Sequence, residues 1–401
     1  MCAVPSGTAV ARSPRLELAD IVRAAGDAYQ RTHRLVPVQH RALRAIASCR
    51  TAALGGHRET CDHCGAVRVS YNSCRNRHCP KCQTLTKERW LAARKADLLP
   101  IPYFHVVFTL PHDLNPLAQG NPRVLYALLF RAAADTLLTF GRDPRHLGGT
   151  IGLTAILHTW GQTLTQHLHL HCLVTGGALA PDGAQWIAGR PSFLFPVRAM
   201  ATVFRAKYLA GLHRAFDAGE LTFASGTADL ADRHIFTGYL GQLRAVDWVV
   251  YAKRPFAGPA QVLEYLGRYT HRVALSNHRL VDHGEGRVRF CWKDYADHDR
   301  MKVMTLDADE FLRRFLLHVM PRGFMRIRHF GLLANRTRRD MIRQSRGLLG
   351  QSPTEEAPSE SSHALVLRLT GVDLARCPVC REGHMQITTL VVQRRPPPDT
   401  S

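Results

Sequence analysis

Acidic residues, lysine and long apolar runs are all scarce in this 401-residue chain. No stretch approaches the roughly 18 uninterrupted apolar residues of a membrane-spanning helix, and residues Met1 to Asp20 lack the apolar core of a secretory signal. The expectation is a cytoplasmic protein with no membrane partner. Only 32 Asp and Glu stand against 53 Lys and Arg, and the resulting net charge of +21 is spread along the chain. That balance points to a polyanion as partner. Just 7 of the basic residues are Lys. An Arg excess suits bidentate phosphate recognition but equally suits a GC-rich genome, so the net charge carries the inference and the Arg bias does not. The 45% hydrophobic content excludes a disordered polymer, and the length allows two or three domains with their own cores.

Cysteine is not scarce: there are 11, five of them between Cys61 and Cys82. With no export signal, reduced thiols and a zinc site account for them better than disulfides. Cys61 and Cys64, then Cys79 and Cys82, form two Cys-x-x-Cys pairs. Each pair presents two thiolates from one tight turn, and two turns complete a tetrahedral, structural zinc site. Cys74, His78, His57 and His63 lie in or beside the module, leaving a second zinc or another choice of four ligands open. A segment this short has no core of its own, so the metal would also supply its folding energy. Arg68, Arg75, Arg77, Lys81, Lys87 and Arg89 make the module basic, as phosphate contact requires. Cys377-Pro-Val-Cys380 is half a site, with His384 as a candidate third ligand and no evident fourth.

Apolar spacing predicts two amphipathic helices between about Leu16 and Ala47, and a basic helix from Leu85 to Leu99 ended by Pro100 and Pro102. Residues 1–99 are thus read as a helical cap with a zinc-binding, DNA-binding domain. From 100 to 345 strands and helices alternate: strands over 103–110, 151–160, 248–253, 272–280, 287–293 and 300–306, and helices over 122–140, 196–218, 261–269 and 307–319. Arg322 to Arg339 is a basic stretch. Residues 346–401 are read as a linker, the Cys377 pair and a Pro-rich tail.

Two patterns carry chemistry. In His167-Leu-His169-Leu-His171 the imidazoles alternate with apolar residues, so on a strand all three share one face, where they can converge on a metal. A solvated edge strand would show the same alternation. In Glu264-Tyr265-Leu-Gly-Arg268-Tyr269-Thr-His271-Arg272 the two tyrosines stand at i and i+4, one turn apart on a helix face. A core aromatic pair has that spacing too, but Arg268 and Arg272 favour an anion. A tyrosine can attack a phosphodiester, exchanging one ester for another, and a His-bound divalent ion can polarise the phosphate for in-line attack. Strand and helix are two halves of one mechanism.

The strand His167 to Val174 with Gly176-Gly177, the Tyr265 to Arg272 helix, the module Tyr71-Asn-Ser-Cys-Arg-Asn-Arg-His-Cys-Pro-Lys-Cys82 and the segment Met320 to Asn335 together resemble the two-tyrosine HUH transposases of the insertion-sequence-91 type. The four motifs span about residues 30–345 in the family's order. The resemblance implies an α+β fold: a ferredoxin-like antiparallel sheet flanked by helices, with the HUH histidines on a central strand, preceded by the small helical and zinc-binding domain. It also implies rolling-circle transposition, in which a tyrosine cleaves single-stranded DNA at an element end, keeps a 5′-phosphotyrosine link and releases a 3′-OH, while the second tyrosine accepts the next strand. Implied cofactors are structural Zn2+ and a catalytic Mg2+ or Mn2+ on His169 and His171, with His167 an extra imidazole and Glu264 or His271 candidates for a third ligand. Implied partners are element-end and target DNA, with host replication proteins, in a bacterial cytoplasm where the bound protein joins the nucleoid. Two other readings share parts of this pattern: a plasmid or phage replication initiator or relaxase, and a non-catalytic zinc-dependent DNA-binding regulator. The sequence leaves the oligomeric state open.

Overall fold

A computed structural model describes residues 16–253, 263–264, 267, 274–351 and 360–391. The chain opens with α1 (Leu18–Thr32) and α2 (Pro37–Ala47), which bury Leu18, Ile21, Val22 and Tyr29 of the first and Ala42, Leu43 and Ile46 of the second at helical spacing. The strands β1 (Gly56–Cys61) and β2 (Val67–Tyr71) form a hairpin, and α3 (Thr84–Ala96) follows.

Next come β3 (Tyr103–Thr109), α4 (Asn115–Gly120), α5 (Pro122–Arg142), β4 (Gly152–Trp160), β5 (Gln166–Thr175), the short pair β6 (Gly177–Leu179) and β7 (Trp186–Ala188), α6 (Val197–Asp217), α7 (Arg233–Ala245) and β8 (Val250–Lys253). Beyond residue 273 lie β9 (Leu280–Gly284), β10 (Arg287–Asp294), β11 (Arg300–Asp307), α8 (Ala308–Leu316), β12 (Ile327–Gly331), α9 (Arg338–Leu348), α10 (Ser362–Thr370) and β13 (Met385–Val391). Helices and antiparallel sheets together make the α+β class expected.

These elements fall into two compact units, one drawn from residues 1–89, 271–319 and 356–401, the other from 90–270 and 320–355. Each unit is therefore drawn from separate stretches that alternate along the sequence, where the expected division 1–99, 100–345 and 346–401 is contiguous. Pairing explains it. In the first unit β13, from the tail, is hydrogen-bonded to β1, and α8 packs on α1, with the Gln39 amide donating to the carbonyl of Leu316 at 3.1 Å. A second three-stranded sheet, β11-β10-β9, completes that unit.

The second unit is built on a five-stranded antiparallel sheet in the order β12-β4-β5-β3-β8. One face carries Phe104, Val106, Phe108, Leu153, Ala155, Leu157, Leu168, Leu170, Cys172 and Val174, all buried in one core with α5, α6 and α7. By length and composition α5 is apolar enough to cross a membrane, yet Leu125, Leu129, Ala133 and Leu137 are fully buried in that core.

One expected strand is displaced. Of residues 272–280, those described from Ala274 to Arg279 are a loop with a single 3-10 turn, and β9 starts at Leu280. The Arg279 guanidinium holds the loop, donating to the carbonyls of Cys291 at 2.7 Å and Ala274 at 3.2 Å. Ser276-Asn277-His278 favour turns over an extended ladder.

Candidate active site and metal centres

The period-two alternation of β5 sends Leu168, Leu170, Cys172 and Val174 into the core, so His167, His169, His171 and Leu173 face the other way. In register, His169 lies opposite His158 of β4 and Thr109 of β3, and His171 lies opposite Ile156 and Val107. His158, His169 and His171 each bring a ring nitrogen within 4.8 Å of the others, a set able to hold a metal ion. His169 and His171 are thus gathered where the sequence placed them. His167 is not in the trio; its Nδ1 is 3.1 Å from Nε2 of His112.

Hydrogen bonds orient the ligands. His169 Nδ1 lies 2.8 Å from the carbonyl of His167; a carbonyl only accepts, so Nδ1 carries the proton and Nε2 keeps its lone pair for a cation. His171 Nδ1 is 2.8 Å from Nε2 of His105, on the neighbouring strand. Burial pushes His169 down to about 4, with the nearby His167 charge adding to it. Burial also lowers His105 to about 4 and carries His158 and His171 well below the ordinary histidine value. The guanidinium of Arg326, itself 5% exposed, adds to the depression at His158. All four are neutral at physiological pH, the form that ligates metal.

The sheet face beyond the trio is covered by Leu263. Leu263 is buried against Leu91, Tyr103, Ile156 and Leu173, and Leu173 is two residues from His171 on the same face. Gly267, also helical, sits where an added Cβ would come 2.6 Å from the Leu91 side chain. Glu264 is exposed and accepts a 2.6 Å bond from Lys95, so it is not among the gathered ligands. Tyr265, Arg268, Tyr269, His271 and Arg272 lie outside the described residues. The Gly176-Gly177 pair after the histidine strand is a close-approach site: a Cβ would meet the Pro102 carbonyl at 2.8 Å on the first and Trp186 Nε1 at 2.7 Å on the second.

The cysteines form two sets, not one. Cys61 and Cys64 group with Cys377 and Cys380, while Cys79 and Cys82 group with Cys74 and Cys49. The structure thus divides Cys61, Cys64, Cys79 and Cys82 between two sets, one of the choices that spacing leaves open: β1 pairs with the tail strand β13 and carries its knuckle to the tail's Cys-x-x-Cys. Sγ atoms of Cys82 and Cys49 are 3.4 Å apart, those of Cys82 and Cys74 3.6 Å. A tetrahedron with Zn–S bonds near 2.3 Å needs sulfurs about 3.8 Å apart, so these thiols suit zinc. Hydrogen bonds from Cys74 and Cys79 hold the Cys82 thiol far below its ordinary value, while Cys79 is pushed up. His78 is buried but stands outside both sets, its Nδ1 3.0 Å from Asn76 Oδ1. His384 is outside them too; its backbone N–H donates to Asp62.

Among the expected DNA contacts, Arg75 is exposed with a left-handed φ of 52°, Arg77 is half-buried, and Lys81 is bonded to Glu17 at 2.8 Å. Four participants escaped the sequence reading. His158 and His105 are single histidines in apolar strands, and Cys49 is remote from any Cys-x-x-Cys. Arg326 sits in the Met320 to Asn335 segment, where nothing but tertiary position distinguishes it from its neighbours.

An α+β unit with an imidazole trio on two adjacent strands of its sheet, in a strongly basic chain whose described residues include two four-cysteine sets, has the donor groups of a metal-binding protein and the charge that suits a polyanionic partner. Comparison makes this specific. A family model described as "Putative transposase" matches residues 152–340, and one described as "Transposase zinc-binding domain" matches residues 21–110. "Putative transposase y4qJ" of Sinorhizobium fredii is 54% identical over 375 residues, covering 92% of this chain and 94% of that protein. The "Transposase for insertion sequence element IS801" of Pseudomonas savastanoi pv. phaseolicola is 28% identical over 345 residues, covering 84% of this chain and 80% of that protein. No solved structure matches. The chain belongs to the insertion-sequence-91 type of transposases with an N-terminal zinc-binding domain.

Proposed function

We propose that this transposase nicks and joins single-stranded DNA at element ends, with Tyr265 and Tyr269 as nucleophiles and His158, His169 and His171 holding a divalent ion, Mg2+ or Mn2+. The observation that carries the reading is the imidazole trio on the sheet face that Leu263, two residues before Tyr265, covers through Leu173. The order strand, helix, strand, strand, helix, strand from β3 to β8, with β8, β3, β5 and β4 side by side, supports a ferredoxin-like HUH sheet.

In this reading the phenolic oxygen of one tyrosine attacks the phosphorus, the bond to the 3′ oxygen breaks, and a 5′-phosphotyrosine and a free 3′-OH result. One ester replaces another, so attack by a 3′-OH on the phosphotyrosine rejoins the strands and releases the phenol. The bound ion would polarise the phosphate oxygens. His105 holds the His171 ring through its Nδ1, and the carbonyl of His167 holds His169. Arg268 and Arg272 contact phosphate. In the zinc-binding domain Arg75 and Arg77 extend the DNA grip, and Lys81 is held by Glu17. Host replication proteins extend the released 3′-OH.

Incubation with a 5′-labelled and a 3′-labelled single strand carrying the element end tests this. A denaturation-stable adduct should form with the 3′ fragment's 5′ phosphate, require Mg2+ or Mn2+, and vanish in Y265F/Y269F. No adduct from the wild type, or one that survives the double substitution, overturns the reading.

A further inference from the structure

The tail pair Cys377 and Cys380 lies outside both matched family segments, which end at residues 110 and 340. We infer that it completes a second structural zinc site with Cys61 and Cys64, so that each chain carries two zinc ions and the β1 knuckle is closed by residues more than 300 positions away.

The geometry is that of two facing zinc knuckles. Cys61 Sγ is 3.7 Å from Cys380 Sγ, and Cys64 Sγ is 3.7 Å from Cys377 Sγ, close to the separation of about 3.8 Å that tetrahedral zinc sets. Backbone N–H groups point at the sulfurs from both turns: His63 and Cys64 to Cys61, Val379 to Cys377 and Gly383 to Cys380, each at 3.4 Å. Such donors stabilise thiolates, the form zinc requires. Each turn ends in a left-handed residue, Gly65 at φ 70° and Arg381 at φ 62°. Gly383 permits the approach, because a Cβ there would stand 2.5 Å from Cys61 Sγ. The pairing of Cys61 with Met385 in the β1–β13 ladder and the 2.7 Å bond from His384 N–H to Asp62 fix the register of the two turns.

These four ligands are distinct from Cys49, Cys74, Cys79 and Cys82, so the two sites fill independently. The β1–β2–β13 sheet has little apolar interior: Val67, Val69, Tyr71, Ile387 and Leu390 are exposed. Its closure then rests on the ladder and the metal, and is reached only when residues 377–391 have been made.

Full-length protein purified with zinc should contain two zinc ions per chain by elemental analysis, and Co2+ substitution should give the thiolate charge-transfer and tetrahedral d–d bands of two four-sulfur sites. In C377S/C380S the content should fall from two to one, and iodoacetamide mapping should show Cys61 and Cys64 newly alkylated with Cys49, Cys74, Cys79 and Cys82 still protected. One zinc in the wild type overturns the inference, as does protection of Cys61 and Cys64 that persists in the variant. Should the variant fail to fold, the Co2+ stoichiometry of the wild type decides alone: two sites support the inference and one overturns it.

Discussion

The imidazole trio and the cysteine sets are both arrays of metal ligands, but they stand in opposite relation to their surroundings. His158, His169 and His171 project from strands whose other faces bury Leu157, Leu168, Leu170 and Cys172 in a large core. That scaffold is folded by apolar burial whether or not a cation is present. Cys74, Cys79 and Cys82 stand on the loop and turns after β2, with few buried apolar residues between them, and Cys49 comes from the turn just after α2. There the metal supplies the folding energy. On the proposed reading one protein would use metal in two ways: as a reagent laid on a finished sheet and as a substitute for a core.

The largest effect should come from breaking the second kind. In C79S, or after chelation, residues 49–82 should lose protection in limited proteolysis while β3, β4 and β5 keep theirs in hydrogen exchange, since structural zinc in small domains is worth on the order of 10 kcal/mol. H169A/H171A should do the reverse, abolishing Mn2+ binding by electron paramagnetic resonance with little change in melting temperature. Equal unfolding in both variants removes the contrast.

A smaller effect sharpens the first kind. Removing a partner that orients a metal-bound imidazole commonly costs about 10–100-fold in metal affinity. H105L should therefore weaken Mn2+ binding within that range, and H105Q, which can still bond His171 Nδ1, should restore most of it. An unchanged Mn2+ affinity in H105L removes the orienting role of the 2.8 Å contact.

The smallest effect is a control remote from both ligand arrays. The Arg313 guanidinium, with Arg314 behind it, holds the Glu310 carboxyl down to about 2. The folded value is depressed, so its contribution is present above the unfolded value of about 4.3 and is lost as pH falls through about 2. E310Q should cost about 1 kcal/mol or less at pH 7, because the pair is partly solvated. Its difference from wild type in urea denaturation should shrink from pH 5 to pH 2, and a difference that grows on acidification contradicts the sign.

Local patterns were legible where one element decides the outcome. Alternation placed His169 and His171 on one face of β5 because strand geometry alone requires it, and helical spacing drew α1, α2 and α5 to within a few residues. His158 and His105 were invisible for the converse reason: each is a lone histidine among apolar residues, and only strand register sets it beside His171. The Cys-x-x-Cys pairs showed the same divide. Spacing made each pair a knuckle, but which two knuckles meet depends on the β1–β13 ladder, a contact between sequence positions more than 300 apart.

The sequence by itself determined that this chain is a basic, thiol-rich α+β protein with the motifs of its transposase family, because composition, periodicity and short-range spacing are properties of contiguous residues. Tertiary structure alone decided the third imidazole, the partner of the tail cysteines and which separate stretches of the chain make up each unit. Those are fixed by which strands pair, and pairing across long separations is set by the packing of whole elements, which no short window of sequence contains.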